Sequence, residues 1–408
     1  MHGSQPSALS IFDNCPSQGI QYIFNFWRDI VMTIYVVQPN DTVDTIAESY
    51  QVPVDNIIYI NQLAYPYALA IGQALLIPTA DDEQERRSVI TNGYAYPFIN
   101  QGVLESTLPY LTNLSIFSYG FTGQGELIPP ALNDTWMIEA AAGMGVNSIL
   151  TLTPMDAEGR FSNILIHQMV NDEEAKNKLI QNILVTLGEK GYQGVDVDFE
   201  YILAEDRDAF TSFVAELTEV MNENGYETSV ALAPKTSSDQ KGLLYEGKDY
   251  RGLGAAANSV LLMTYEWGYT YGPPMAVAPI NKVRQVVEYA VTEIPVEKIN
   301  LGIPNYGYDW PLPFEQGVTK ATTIGNVQAV QLAIEYGSVI GFDEVAQTPY
   351  FHYIENGVEH EVWFEDVRSM QAKFDLVKEF SLRGMGYWQL MRLFLANWVL
   401  LDNQFIID

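Results

Sequence analysis

From about residue 90 to the C-terminus, short apolar runs alternate with helical stretches, and nothing else in the sequence restricts the fold as much. The apolar runs predict strands near Ile90–Tyr96, Asn113–Phe121, Asn147–Thr153, Gly194–Glu200, Ser229–Ala233, Ser259–Tyr265, Ile299–Tyr306 and Gly384–Trp388. Helical periods lie between them. In Asp208–Asn224, for example, Phe210, Phe213, Val214, Leu217 and Met221 form one apolar stripe and Gly225 ends it. Strands that alternate with helices make a parallel sheet covered on both faces. Eight of them over residues 89–408 fit an α/β fold of the closed (β/α)8 TIM-barrel kind. An open doubly wound sheet would need a phosphate-binding glycine loop after its first strand, and Gly93–Phe98 (GYAYPF) is not one.

The longest gap separates the seventh and eighth strands. Within residues 316–366, the runs His352–Ile354 and Val362–Phe364 flank Glu355-Asn356-Gly357, and Asn-Gly is a strong hairpin signal. A small α+β insertion at the C-terminal face of the barrel is expected, walling one side of a cleft.

Residues 33–79 read as a separate β-α-α-β unit. Thr33–Val37 alternates like a strand, and Pro39–Thr42 is a turn that hands Asp41 or Thr42 to a helix as N-cap. Val43, Ile46 and Ala47 follow at helical spacing, then Ile57, Ile58 and Ile60 in a second helix ending at Asn61, and Gly72–Pro78 closes with a strand. The turn QPNDTV, the helix IAESYQV and the strand GQALLIP resemble a LysM module, which implies binding of N-acetylglucosamine-containing glycans. Asn40 stands where that family usually has Gly, and Asn tolerates the left-handed backbone the turn needs. Residues 80–88 (ADDEQERRS) read as a linker.

Residues 1–31 lack the basic start, apolar run and small-residue cleavage site of a secretory signal. Ile20–Trp27 is too short to span a bilayer, which takes about 20 apolar residues. Patterned sequence begins at Met32. The leader is expected to be a tag, a misassigned start, a local anchor or a disordered tail, and N-terminal sequencing of protein from its native source distinguishes these.

Lys+Arg number 21 and Asp+Glu 51, a formal net charge of −30. Such a chain repels phosphate backbones and anionic headgroups, which argues against nucleic acid and membrane surfaces as partners. A neutral polymer such as an acetylated glycan fits. A single cysteine, Cys15, excludes intrachain disulfides, and the four histidines (His2, His167, His352, His360) have no zinc-hydrolase spacing. No metal or cofactor is expected.

The most informative segment is Gly194–Tyr201, GVDVDFEY. Strand side chains alternate faces, so Asp196, Asp198 and Glu200 share one face while Val195, Val197 and Phe199 share the other. In a barrel the apolar set meets the helices and the acids point inward, roughly 6–7 Å apart. Like charges buried that close favour retained protons. Glu200 lies at the C-terminal end, where barrel active sites open, and a protonated carboxyl at a cleft floor suits glycosidic bond cleavage. A calcium site would draw more oxygen ligands from one loop.

This strand resembles the D-G-x-D-x-D-x-E signature of glycoside hydrolase family 18, with Gln193 at the first, supportive Asp; altered proton sharing is expected there. Met263–Gly268 resembles the sixth-strand motif and Gly386–Trp388 the eighth-strand end. The phrases MTYEWGYTYGPPMAVAPI, LGIPNYGYDWPLP and YFHYIENGVEHEVWFED, with the LysM-like unit, resemble the N-acetylglucosaminidase branch acting on spore cortex and cell wall. That branch typically has two LysM modules; one is found here. The resemblance implies substrate-assisted hydrolysis with retention, cleaving β-1,4 bonds after N-acetylglucosamine in peptidoglycan. Glu200 would be the acid and base. Asp198 would hold the acetamido N–H, Asp196 would share its proton, and Tyr265 would donate to the acetamido oxygen. Trp388 would floor the sugar subsite. Glu266, Asn305, Tyr306, Asp309 and Tyr119 are further substrate-binding candidates. A chitinase acting on a chitin-like N-acetylglucosamine polymer is the alternative, and a non-catalytic glycan-binding protein a third, disfavoured because Glu200 is retained. The expected location is spore surface, cortex or cell wall, after cytoplasmic synthesis.

Overall fold

The computed structural model of the protein describes residues 30–81, 86–155 and 159–408. The readings of residues 1–29, Cys15 among them, and of the linker's centre at 82–85 lie outside the described residues.

Eight parallel strands close into a barrel: Arg87–Ala95, Asn113–Phe121, Asn147–Leu152, Gly194–Val197, Glu227–Leu232, Ser259–Leu262, Ile299–Pro304 and Gly384–Trp388. Each pairs with the next in chain order, and the ring shuts where the eighth pairs with the first (Met385 beside Thr91) and the first with the second (Tyr94 beside Ser115). The strands are buried on both faces, which is why they read as continuous apolar runs. One difference concerns extent: the first strand starts at Arg87, inside the stretch read as linker, because Arg87–Val89 also pairs with the C-terminal strand Phe405–Ile407.

The unit ahead of the barrel has the expected β-α-α-β order: Ile30–Val36, Val43–Tyr50, Val54–Ile60 and Ala74–Asp81, the two strands antiparallel. Thr42 is the N-cap, in a reciprocal capping box with Thr45, while Asp41 accepts from the Tyr35 hydroxyl at 2.6 Å. Asn40 adopts φ 72°, so asparagine takes the left-handed position usually given to glycine. Asn61 ties the second helix to the last strand through Leu76, donating to its carbonyl and accepting from its N–H. The last strand is apolar on both faces for a reason. Leu75 and Ile77 fill the unit's own core with Val43, Ile46 and Ile57. Leu76, with Ile30 and Ile60, joins the core of the barrel.

That contact fixes the unit in place. Gln62 accepts from the Leu395 N–H at 2.7 Å, and Asn403 donates to the Ile30 carbonyl at 2.6 Å. On the other side the Ile340 N–H donates to the Ile71 carbonyl at 2.9 Å. Gly72 sits there at φ +83°, and a Cβ on it would fall 1.9 Å from the Ile340 carbonyl oxygen. The unit is thus wedged between the last barrel helix, Leu395–Gln404, and the insertion.

The insertion begins at Gly307, earlier than the expected residue 316. It is a five-stranded antiparallel sheet with the helix Asn326–Glu335. Its central hairpin, Thr348–Glu355 with Val358–Trp363, turns at Asn356-Gly357, both at positive φ (51° and 81°), the geometry of a two-residue hairpin loop. Among the described residues no helix is long and apolar enough to cross a membrane.

Candidate active site

The fourth strand ends at Val197, three residues short of the predicted Glu200, yet the alternation continues past its end. Val195, Val197 and Phe199 pack into the core between barrel and helices, where the Phe199 ring stacks on Phe121, Phe210 and Phe213. Asp196 and Asp198 therefore face the barrel axis, buried, and Glu200 stands half-buried at the mouth. The Asp198 N–H donates to the Leu152 carbonyl at 2.9 Å, which holds the backbone in line beyond the ladder. Tyr201 then turns the chain away at φ 57°.

The acids differ in their partners. Asp196 accepts from the Tyr94 hydroxyl at 2.9 Å and the Ser229 hydroxyl at 2.5 Å. Burial pushes its pKa up, and those two hydroxyls and the Lys248 ammonium pull it down. Asp198 has an oxygen with no hydrogen-bond partner. Burial, then the charges of Glu200 and Asp196, raise it well above the usual carboxylate range against the pull of Lys248. Glu200 is raised by burial, opposed by Lys248 and by a hydrogen bond from Tyr201. At neutral pH such a row favours retained protons, the state a general acid needs.

Tyr265 follows the sixth strand. Its phenol is held protonated by burial and by the charges of Asp198, Glu200, Glu266 and Asp196. Gly302 on the seventh strand makes room for its ring: a Cβ there would fall 2.9 Å from a Tyr265 ring carbon and 2.2 Å from the Leu262 carbonyl oxygen. Trp388, half-buried at the end of the eighth strand, is ringed by Phe117, Tyr94 and Tyr96, with centroids at 5.0, 5.8 and 6.0 Å. Tyr96 in turn stacks on Phe98, which is 65% exposed, so an aromatic path leads from the barrel mouth to solvent. Glu266 accepts from the hydroxyls of Tyr306 and Tyr308. Tyr306, Tyr308 and Trp310 join Tyr265, Trp363 and Trp388 in one aromatic cluster that welds the insertion to the mouth. Burial raises Glu266 most, the two tyrosine hydroxyls lower it, and the Glu200 charge adds a further rise.

Three expected positions fall elsewhere. The Tyr119 hydroxyl donates to Asp134 at 2.6 Å and its ring meets Tyr192 on the helix side. The cause is a register shift between Ile116 and Tyr119 in the second strand, which moves Tyr119 to the outer face. Asp309 lies on the opposite face of its strand from Tyr308, where Tyr353 (2.6 Å) and His360 (2.8 Å) bind its carboxylate. Asn305 donates to the carbonyls of Gln389 (3.1 Å) and Arg392 (2.9 Å), so it braces the segment after Trp388. Gln193 lies at the start of the strand, its amide bonded to the backbone of Ser148 and Gly191, and the hydroxyls of Tyr94 and Ser229 serve Asp196 instead. Below Asp196, at the opposite barrel end, a cavity of about 330 Å³ is lined by polar residues including Asn92, Asn113, Asn147 and Asn300.

Sequence reasoning missed Tyr94, Ser229 and Lys248. Tyr94 on the first strand and Ser229 on the fifth carry an inward parity that alternation could have shown. Lys248 gave no signal, since Glu246-Gly247-Lys248-Asp249 reads as a solvated loop.

Comparison with known proteins agrees with this architecture. The family model for glycosyl hydrolases family 18 matches residues 159–392, and the LysM domain model matches residues 35–78. The cortical fragment-lytic enzyme of Bacillus subtilis (strain 168) is 39% identical over 426 residues, spanning 92% of this chain and 98% of that protein. The counterpart in Bacillus anthracis is 39% identical over 92% of this chain and 99% of its own length. The crystal structure of the Bacillus megaterium QM B1551 spore cortex-lytic enzyme SleL superposes with a TM-score of 0.88 at 34% identity, covering 93% of this chain and 99% of that one. A closed parallel barrel that carries an inward carboxylate row, the family match and near full-length relatives lead to one conclusion: the chain belongs to glycoside hydrolase family 18 and is a glycosidase with an N-terminal LysM module.

Proposed function

We propose that the protein hydrolyses spore-cortex or cell-wall peptidoglycan, cleaving the β-1,4 bond after N-acetylglucosamine with retention. The carrying observation is the buried acid row, with one carboxyl raised by burial at the barrel mouth, in a chain that matches cortex-lytic relatives over nearly their whole length. The Glu200 carboxyl gives its proton to the bridging oxygen as the bond from that oxygen to the anomeric carbon breaks. The substrate's own acetamido oxygen attacks the anomeric carbon and forms an oxazolinium-type ring. Asp198, whose free oxygen has no protein partner, accepts the acetamido N–H and balances the developing positive charge. Asp196 shares a proton with Asp198. The Tyr265 phenol donates to the acetamido oxygen. Water then attacks the anomeric carbon, returns a proton to Glu200 and opens the ring. Trp388 stacks under the sugar, and Glu266 with Tyr306 lines the neighbouring wall.

Digestion of cortical muropeptides and chitin oligomers in parallel, with product masses recorded, tests this reading. Release of fragments ending in N-acetylglucosamine from cortex is the expected result; release from chitin alone overturns the polymer assignment. The LysM module supports recruitment to the forming spore, and a fluorescent fusion that stayed diffuse throughout sporulation would count against that location.

A further inference from the structure

Lys248 is 1% exposed, and its ammonium makes one hydrogen bond among the described residues, to the Ala231 carbonyl at 2.7 Å. A buried ammonium without an adjacent carboxylate is costly, so its position calls for a cause. On the fifth strand the Leu232 carbonyl accepts from the N–H of Met263, just past the end of the sixth strand. Successive carbonyls of a strand point to opposite edges, so the Ala231 carbonyl faces the fourth strand. Fourth and fifth strands pair last at Val197 and Val230, which puts Ala231 level with Asp198. The Lys248 ammonium therefore lies at the seam where the two strands part beside the acids, over the Phe210 ring on the helix side at 5.4 Å from its centroid.

We propose that Lys248 is the counter-ion of Asp196, Asp198 and Glu200, the positioning residue that sets how many of the three are ionised and hence where the pH optimum lies. This rests on the roles given to the acids above. Its field lowers all three carboxyls, and they in turn raise a lysine that burial pushes down further than they lift it, to a net value of about 8. The other polar groups around this site are the phenols of Tyr94, Tyr96, Tyr201 and Tyr265 and the Ser229 hydroxyl, which face the acids, the Glu266 carboxyl, which feels the Glu200 charge, and Lys235 and Asp249 on the same loop. Lys235 donates to the Lys248 carbonyl at 2.9 Å, which anchors the loop. Gly247 packs on Ile202, leaving no room for a Cβ (2.4 Å from the Ile202 carbonyl oxygen) and so fixing the lysine's approach.

The test compares the pH dependence of kcat/KM on cortical muropeptides for the native enzyme and Lys248→Met. Removing the positive charge raises the carboxyl pKa values, so the profile moves to higher pH. The expected displacement is one unit or more, a loss of at least tenfold on the acidic limb, with KM within threefold and Tm unchanged or higher. A folded variant whose profile superimposes on the native one, or whose activity falls equally at every pH, overturns the proposal. A second measurement leaves Lys248 in place: its side-chain nitrogen titration, followed by NMR, should move to lower pH in Asp198→Asn, and an unmoved titration overturns the coupling. Inactivity of the native enzyme on the muropeptide would instead overturn the functional reading, while the titration still reports on Lys248.

Discussion

Two buried acidic sites in the same barrel behave in opposite ways. Asp134 is fully buried and accepts from the hydroxyls of Tyr119 and Tyr192, both at 2.6 Å, and from the Lys190 ammonium. Burial pushes its pKa up, but those three donors outweigh it and the net shift is down. Asp198 is buried among two other carboxyls, keeps an oxygen without a partner and is shifted well up. The difference is the supply of donors. Asp134 is a saturated structural tie, whereas the row on the fourth strand is left short of positive charge, which makes its protons available for transfer.

The largest expected effect that sharpens this contrast is on turnover. Glu200→Gln should lower kcat by at least 10²-fold, the usual worth of a general acid, with the thermal melt unchanged. Unaltered hydrolysis of muropeptides by that variant would falsify the assignment. Asp134→Ala should do the reverse. It leaves two phenols without their acceptor and Lys190 without its carboxylate partner, and should cost about 3–5 kcal/mol, seen as a lower denaturation midpoint, while the pH profile of kcat/KM keeps its shape. A displaced profile would mean the two acidic sites communicate.

Neutralising each acid should then shift stability in opposite directions. The folded-state pKa of Asp134 is depressed, so its contribution is present above the unfolded value near 4 and is lost as pH falls through the folded one. That of Asp198 is raised, so its contribution is present below the unfolded value and lost as pH rises through the folded one. At neutral pH, Asp134→Asn should therefore lower Tm and Asp198→Asn raise it, though the latter should be nearly inactive. Equal signs in calorimetry would break the comparison. The smallest effect is Tyr119→Phe, which removes one hydroxyl donor to Asp134 and should cost about 1–2 kcal/mol with kcat and KM unchanged. A raised KM would return Tyr119 to the substrate path.

Much of this was legible in the residues. The barrel followed from eight apolar runs, and the acid row from strict alternation in GVDVDFEY. Asp309 was misplaced although parity could have excluded it, because it alternates against Tyr306 and Tyr308. Tyr119 could not be placed by parity, since the register shift before it reverses the face on which its side chain emerges. Lys248 was illegible for a different reason. Its burial depends on a gap between two strands that exists only in three dimensions, and the flanking charges disguise it as surface.

The wedge around Gly72 has a consequence for how the enzyme meets its polymer. Because the LysM module shares apolar core with the barrel and abuts the insertion without slack, module and barrel form one frame, set like the fixed jaws of a caliper. The spacing between the module and the mouth of the barrel is thus preset by the protein's own dimensions.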